Sequence, residues 1–418
     1  MRIALALAAA FGLLSAAASA ETVAVTNGRV HTVSGQGVIE GGTVLIRDGR
    51  IAAVGKGIAV PADARVIDAS GKWVTPGLIS AWSQLGLVEV ETMNTTNDST
   101  ASDASFGAGF DVAYGINPDS TIIPTVRIGG VTRAAIFPLA SRSIFVGFGA
   151  IIQTGEAGEP LFVPRALALA EMGATGARIA GGARGAAWVA MEQAFDQAAK
   201  GGPLDPDDVD GAAVKAILAG AVPFVVHVER APDILQALAM KKRHPSVKLV
   251  LLGVTEGWRV ADRIAAAGVP VIMDSYANLP VDFETMGATQ ENAARLAKAG
   301  VMVAIAPLNR FSAGSPHDAR LVAQFAGNAV GNGLPWAEGL KAVTLNPARI
   351  FGVADRLGSL EPGKIADVVV WDGDPLELGS EPDVLLIAGK EESLVSRQTK
   401  LFQRYRDKAD PKPFSYRR

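Results

Sequence analysis

His227 closes an apolar run, Pro223-Phe224-Val225-Val226, and is followed at once by Glu229 and Arg230. A histidine at the C-terminal end of a buried strand is placed for proton transfer, for hydrogen bonding to a substrate or for metal ligation. The same position equally suits a hydrogen-bonded structural histidine. Asp274 ends a second such run, residues 269–273, and reads either as an acid/base group or as the cap of the turn that follows. Glu89 and Glu91 follow a third run; a carboxylate pair can bind a hard cation or move protons, and solvated loop charges are the alternative. Glu229 and Arg230 are candidates for contact with a ligand, or for pairing within the first turn of a helix. The inventory is otherwise short. The chain has four histidines and no cysteine, which removes disulfides, thiolate zinc sites and cysteine nucleophiles together. His31 lies in a β-rich N-terminal stretch, His244 at a helix end that leads into a strand, and His317 at a helix start in Ser315-Pro316-His317-Asp318. No G-x-S-x-G motif is present, so a serine hydrolase is not supported.

The elements that must position these groups follow from patterning. Apolar strands at residues 224–227, 248–252, 270–273 and 301–305 alternate with amphipathic helices at 234–242, 256–267 and 292–299, and further helices follow at 321–330 and 336–344. Such βαβ units make parallel strands covered on both faces, and enough of them in succession predict a closed (β/α)8 TIM-type barrel with ligands at the C-terminal strand ends. Residues 22–75 and 366–389 read instead as short strands with Gly turns, predicting a small composite β-sandwich built from both termini. The expected organisation is a signal peptide over residues 1–20, the sandwich over 21–76 and 352–418, and the barrel over 77–351. Residues 91–120 are polar and long, and are expected to cover the barrel mouth. The Gly/Ala-rich run at 173–185 lacks the spacing of a phosphate loop. The basic stretch at 400–418 reads as a solvated end.

Two ends of the chain resemble a known family. Thr75-Pro76-Gly77-Leu78-Ile79, and later Asn346-Pro347-Ala348-Arg349-Ile350-Phe351-Gly352 with Gly358-Ser359-Leu360-Glu361-Pro362-Gly363-Lys364-Ile365-Ala366-Asp367, resemble the amidohydrolase superfamily at the entrance to and exit from its barrel, especially the imidazolonepropionase-like branch. Residues 222–227 with Arg230 and Asp233-Ile234 resemble strand five and its helix. The resemblance implies a hydrolase of C–N bonds whose metals are held by two histidines on strand one, one each on strands five and six, and an aspartate on strand eight. Trp82 and Gln84 stand at the strand-one positions, Gly253 at strand six and Leu308 at strand eight. Only His227 matches, and a catalytic zinc needs about three protein ligands. No cofactor is therefore expected, the family's zinc included. Asn309, beside Leu308, joins Trp82, Gln84, Glu229 and Arg230 as an expected substrate-binding residue, with His227, Asp274 and Glu89 as the catalytic candidates.

The expected function is that of an exported amidohydrolase-superfamily protein, ancestrally hydrolysing cyclic amides or dipeptide-like C–N bonds, with the metal centre largely lost. The alternative is a catalytically silent small-molecule-binding protein, or a partner subunit of an active, related barrel. Arg2, the apolar residues 3–14 and Ala18-Ser19-Ala20 read as a secretory signal cleaved near Ala20, giving a periplasmic or extracellular protein. A net charge of −3 offers no broad surface for nucleic acid, and no later segment is long and apolar enough to span a membrane. The partner expected is a small molecule, with homo- or hetero-oligomers left open.

Overall fold

A computed structural model describes residues 21–200, 208–308 and 316–406. The first sheet draws on both ends of the chain. It contains β1 (Thr22–His31), β2 (Val38–Arg47), β3 (Arg50–Gly55), β4 (Arg65–Asp68) and β5 (Trp73–Pro76). The second contains β6 (Leu78–Ser83), β7 (Val131–Ile136), β8 (Phe145–Gln153), β9 (Leu161–Glu171), β10 (Pro223–Val228), β11 (Lys248–Gly253), β12 (Val271–Met273) and β13 (Val303–Ile305). The chain then returns to the first sheet with β14 (Val368–Trp371), β15 (Pro382–Ile387) and β16 (Lys390–Glu391), in the order β16-β15-β14-β5-β1-β2-β3 with β4 also on β1. Val23, Val25, Val44, Ile46, Val368, Val370 and Leu386 bury one face of that sheet in a core of its own.

The eight strands from β6 to β13 form one nearly closed sheet in which each pairs with its sequence neighbour. The all-parallel expectation needs correction at one strand. β8 runs antiparallel to both β7 and β9, while the remaining pairs are parallel. The connections around β8 explain this, because they are too short to carry the helical crossover that a parallel pair requires. The seam between β13 and β6 is bridged by Val343, just past the helix Trp336–Ala342, and by Asn346 in the helix Leu345–Ile350. Ile79 donates its N–H to the Val343 carbonyl at 2.8 Å, and the buried Asn346 side-chain amide donates to the Val303 carbonyl at 2.7 Å. Asn346→Ala removes that bridge and strands a buried carbonyl, so it is expected to lower stability by about 2 kcal/mol in a denaturant titration.

Alternation along the strands sorts side chains into two layers. Phe224, Val226 and Val228 of β10 pack outward into the core shared with the helices. Val225 points inward with Leu167, Leu169, Val250, Leu252, Ile272 and Ala304. The same parity sends His227 and Glu171 into the barrel at the C-terminal strand ends, and Asp274 directly follows β12. The helix Ala231–Arg243 is anchored for this work. It has Pro232 and Asp233 in its first turn and Lys241, Lys242 and Arg243 in its last, matching the helix dipole.

Candidate functional site

The strand ends of β9, β10 and β11 hold a hydrogen-bonded cluster in which Glu171 and Glu229 are buried and the His227 ring between them is partly exposed. Glu171 and His227 are direct neighbours in the parallel register of β9 and β10, and Nδ1 of His227 lies 2.7 Å from Glu171 Oε2. On the other side of the ring, Nε2 lies 3.1 Å from Glu229 Oε1. Glu229 Oε2 accepts from the Thr255 N–H at 2.9 Å and from its hydroxyl at 2.6 Å. Burial by itself lowers the imidazole pKa, but the flanking Glu171 and Glu229 carboxylates outweigh it and hold the pKa well above its ordinary value. A carboxylate thus stands at each ring nitrogen and favours the protonated ring.

Gly253 explains how Glu229 comes to lie there. Its φ is +89°, and a Cβ at this position would fall 2.7–2.9 Å from the Glu229 carboxylate atoms. The carboxylate thus fills the space that a side chain on residue 253 would need. A second shell of ion pairs adjoins it. Arg230 forks onto Asp233 at 2.7 and 3.1 Å, so this expected ligand contact is held within the first helical turn. Arg184 donates to Glu284 at 2.7 Å, and Glu284 also accepts from the Ala174 N–H. Glu256 accepts from Ala231 N–H at 3.0 Å, fixing the start of that helix.

The other expected site residues occupy distinct places. Trp82 is buried against Phe137, with ring centroids 4.4 Å apart. Gln84 is fully buried, and neither its amide atoms nor the Trp82 Nε1 has a hydrogen-bond partner among the described residues. Leu308 packs on the barrel's inner cluster. Glu89 accepts from the Asn117 side chain at 3.2 Å, at the edge of the 91–120 segment. That segment is fixed rather than loose: the Asp210 carboxylate accepts from Gly107 and Gly109 N–H, and the Ser99 carbonyl takes Leu139 N–H just past β7. Asn309 lies outside the described residues, as does the expected signal segment. Among the described residues, no group of three or more His, Asp or Glu is placed to hold a metal ion.

Asp274 stands apart from the histidine cluster. Its Oδ1 accepts from the N–H groups of Tyr276 and Ala277, as a turn cap does. Its carboxylate also lines a cavity of about 490 Å³ at the ends of β12 and β13, with Tyr276, Asn278, Leu279, Pro307, Asp318 and Phe325. Another cavity, of about 530 Å³, lies at the opposite end of the strands around Pro223, Lys248, Pro270 and Arg349. The first is the one that barrel chemistry favours, because ligands gather at C-terminal strand ends.

Sequence reasoning missed Glu171, Arg184 and Glu284. Glu171 had a readable signal, since it is the acid that ends the apolar run Ala166-Leu167-Ala168-Leu169-Ala170.

Residues 212–402 match the model of the amidohydrolase family. The fold is similar to that of an amidohydrolase from Thermotoga maritima MSB8, with a TM-score of 0.80 and 26% identity over 88% of this chain and 99% of that one. It is also similar to a prolidase solved with n-methylphosphonate-l-proline, with a TM-score of 0.55 and 18% identity over 90% of this chain and all of that one. An adenosine deaminase from Xanthomonas campestris with bound zinc gives 0.52 and 19%, over 88% and 92% of the two chains. Those two likenesses are of fold alone. Among curated proteins, an amidohydrolase of Hapsidospora irregularis is 46% identical over 57 residues, 14% of this chain and 6% of that protein. The urease alpha subunit of Staphylococcus aureus is 42% identical over 53 residues, 13% and 9% of the two. This chain thus matches less than a tenth of the length of these curated relatives.

Proposed function

We propose that this chain is an exported hydrolase of the amidohydrolase type that cleaves a C–N bond in a small cyclic amide or dipeptide-like substrate without the family's metal centre. The observation that carries the reading is Asp274, directly after β12 and in the wall of a cavity large enough for such a molecule. The similar Thermotoga protein, named an amidohydrolase, supports the reaction class.

The residues at the metal positions do not suit a divalent ion. Indole and carboxamide are poor donors, Leu308 offers none, and the Glu229 carboxylate occupies the space beside Gly253 while giving its oxygens to His227 and Thr255. His227 is in this reading a positioning group that joins three strand ends. No step is drawn through a metal. Water instead adds to the amide carbonyl carbon as the Asp274 carboxylate takes its proton, and the C–N bond then breaks as the protonated Asp274 returns that proton to the departing nitrogen. Tyr276 and Asn278 in the cavity wall supply hydrogen-bond donors for the developing oxyanion.

The test is a screen of cyclic amides and dipeptides with purified protein in chelator. Asp274→Asn is expected to cut kcat by at least about 100-fold, the lower range for losing a general base, with the melting transition unchanged. Turnover that requires added stoichiometric zinc, or that survives Asp274→Asn, would overturn the reading. Binding in the cavity without turnover would make the chain a binding protein.

A further inference from the structure

The helix Arg397–Arg406 is not used by the reaction, and none of its residues is buried. Its sequence is Arg397-Gln398-Thr399-Lys400-Leu401-Phe402-Gln403-Arg404-Tyr405-Arg406. At about 100° per residue, Arg397, Lys400 and Arg404 make one stripe along the helix, and Leu401, Phe402 and Tyr405 make the stripe beside it. Those three apolar side chains are 40, 61 and 51% exposed. The helix carries four basic residues and no acid, in a chain whose net charge is −3. The Arg404 and Arg406 guanidinium groups lie 5.7 and 5.4 Å from the Tyr405 and Phe402 ring centres, so cations and exposed aromatic faces share one surface. Thr125 holds the helix to the body by donating its hydroxyl to Gln398 Oε1 at 3.0 Å. Thr125 belongs to the helix Ile122–Arg127, which leads into the N-terminal end of β7. The surface therefore lies at the end of the barrel away from the mouth.

We propose that this helix docks the protein on a bilayer surface rich in anionic headgroups. The basic stripe meets the lipid phosphates, and Leu401, Phe402 and Tyr405 enter the boundary between headgroups and acyl chains. Charge alone would equally suit a nucleic acid, but a phosphate backbone would leave the three apolar side chains in water. The two stripes together select the membrane surface. Contact is peripheral, since no helix among the described residues is long and apolar enough to cross a bilayer. Residues 400–418 were expected from sequence to be a solvated end, of which 407–418 lie outside the described residues; docking at this end leaves the mouth open to solvent.

The experiment is flotation of the purified full chain with vesicles of phosphatidylcholine alone, or containing about a quarter phosphatidylglycerol, without substrate, so that its outcome is independent of any catalytic reading. Binding is expected only to the anionic vesicles and is expected to be lost in high salt. At about fivefold per basic residue, Lys400→Glu/Arg404→Glu is expected to weaken it at least 25-fold. Leu401→Ser/Phe402→Ser, which keeps every charge, is expected to weaken it at least about tenfold. Circular dichroism checks that both variants remain folded. Absence of binding to anionic vesicles overturns the proposal, as does binding that the serine variant leaves unchanged, or preferential binding to a DNA duplex.

Discussion

Replacing His227 by alanine is expected to cost about 3–5 kcal/mol of stability, the range for stripping one partner from a buried charge pair. The ring lies between Glu171 and Glu229, both buried, and their carboxylates favour its protonated form. Its removal leaves two acids facing one another across the ends of β9 and β10. Adding Glu171→Gln and Glu229→Gln to His227→Ala should therefore recover a large part of the loss, because neutral amides no longer need the cation. The pH dependence has a definite sign. The folded-state pKa of His227 lies above the unfolded value, so the ring's contribution is fully present below about pH 6.5 and declines as pH rises through the folded pKa. Urea unfolding of wild type and variants across a pH series measures all of this. A loss below about 1 kcal/mol would place the ring in the class of solvent-screened surface pairs and remove its positioning role.

That role was only half legible in the sequence. The strands carrying His227 and Asp274 were readable because buried parallel strands are near-continuous apolar runs, and β10 to β13 lie where such runs predict them. The strands β7, β8 and β9 were not among the runs read from sequence, and strand direction is not written in such a run. The available signal was connection length: no helix separates Ile136 from Phe145 or Gln153 from Leu161. Glu171 was missed along with β9, and with it the carboxylate that meets His227 Nδ1. The positions of Trp82 and Gln84 were visible by resemblance, but their burial without partners depends on packing against Phe137 and other distant residues. Local pattern holds no record of that. Likewise, Glu229 read as a helix-side charge because nothing in its own neighbourhood announces that residue 253, across the β10–β11 pair, lacks a side chain and leaves room for a carboxylate.

Gly253→Ala tests that last relation directly and is expected to destabilise the protein by about 2–4 kcal/mol, combining a positive-φ penalty with overpacking. The new methyl would lie 2.7–2.9 Å from the Glu229 carboxylate, so the carboxylate must rotate away and give up His227 Nε2 and the Thr255 donors. The consequence reaches beyond stability. With one of its two carboxylates displaced, His227 should titrate at lower pH than in wild type, which is resolvable by NMR because the chain has only four histidines. Glu229→Gln removes the same charge without adding volume and should shift His227 in the same direction, whereas a merely steric fault at Gly253 would lower stability and leave the imidazole where it was. If Gly253→Ala folds normally with an unshifted His227, the carboxylate does not depend on the missing side chain, and residues 229 and 253 are not a coupled replacement of one group by another. If the two variants shift together, the space left by the missing side chain at residue 253 is what allows Glu229 to reach the histidine, and a side chain placed there would compete with Glu229 for the ring.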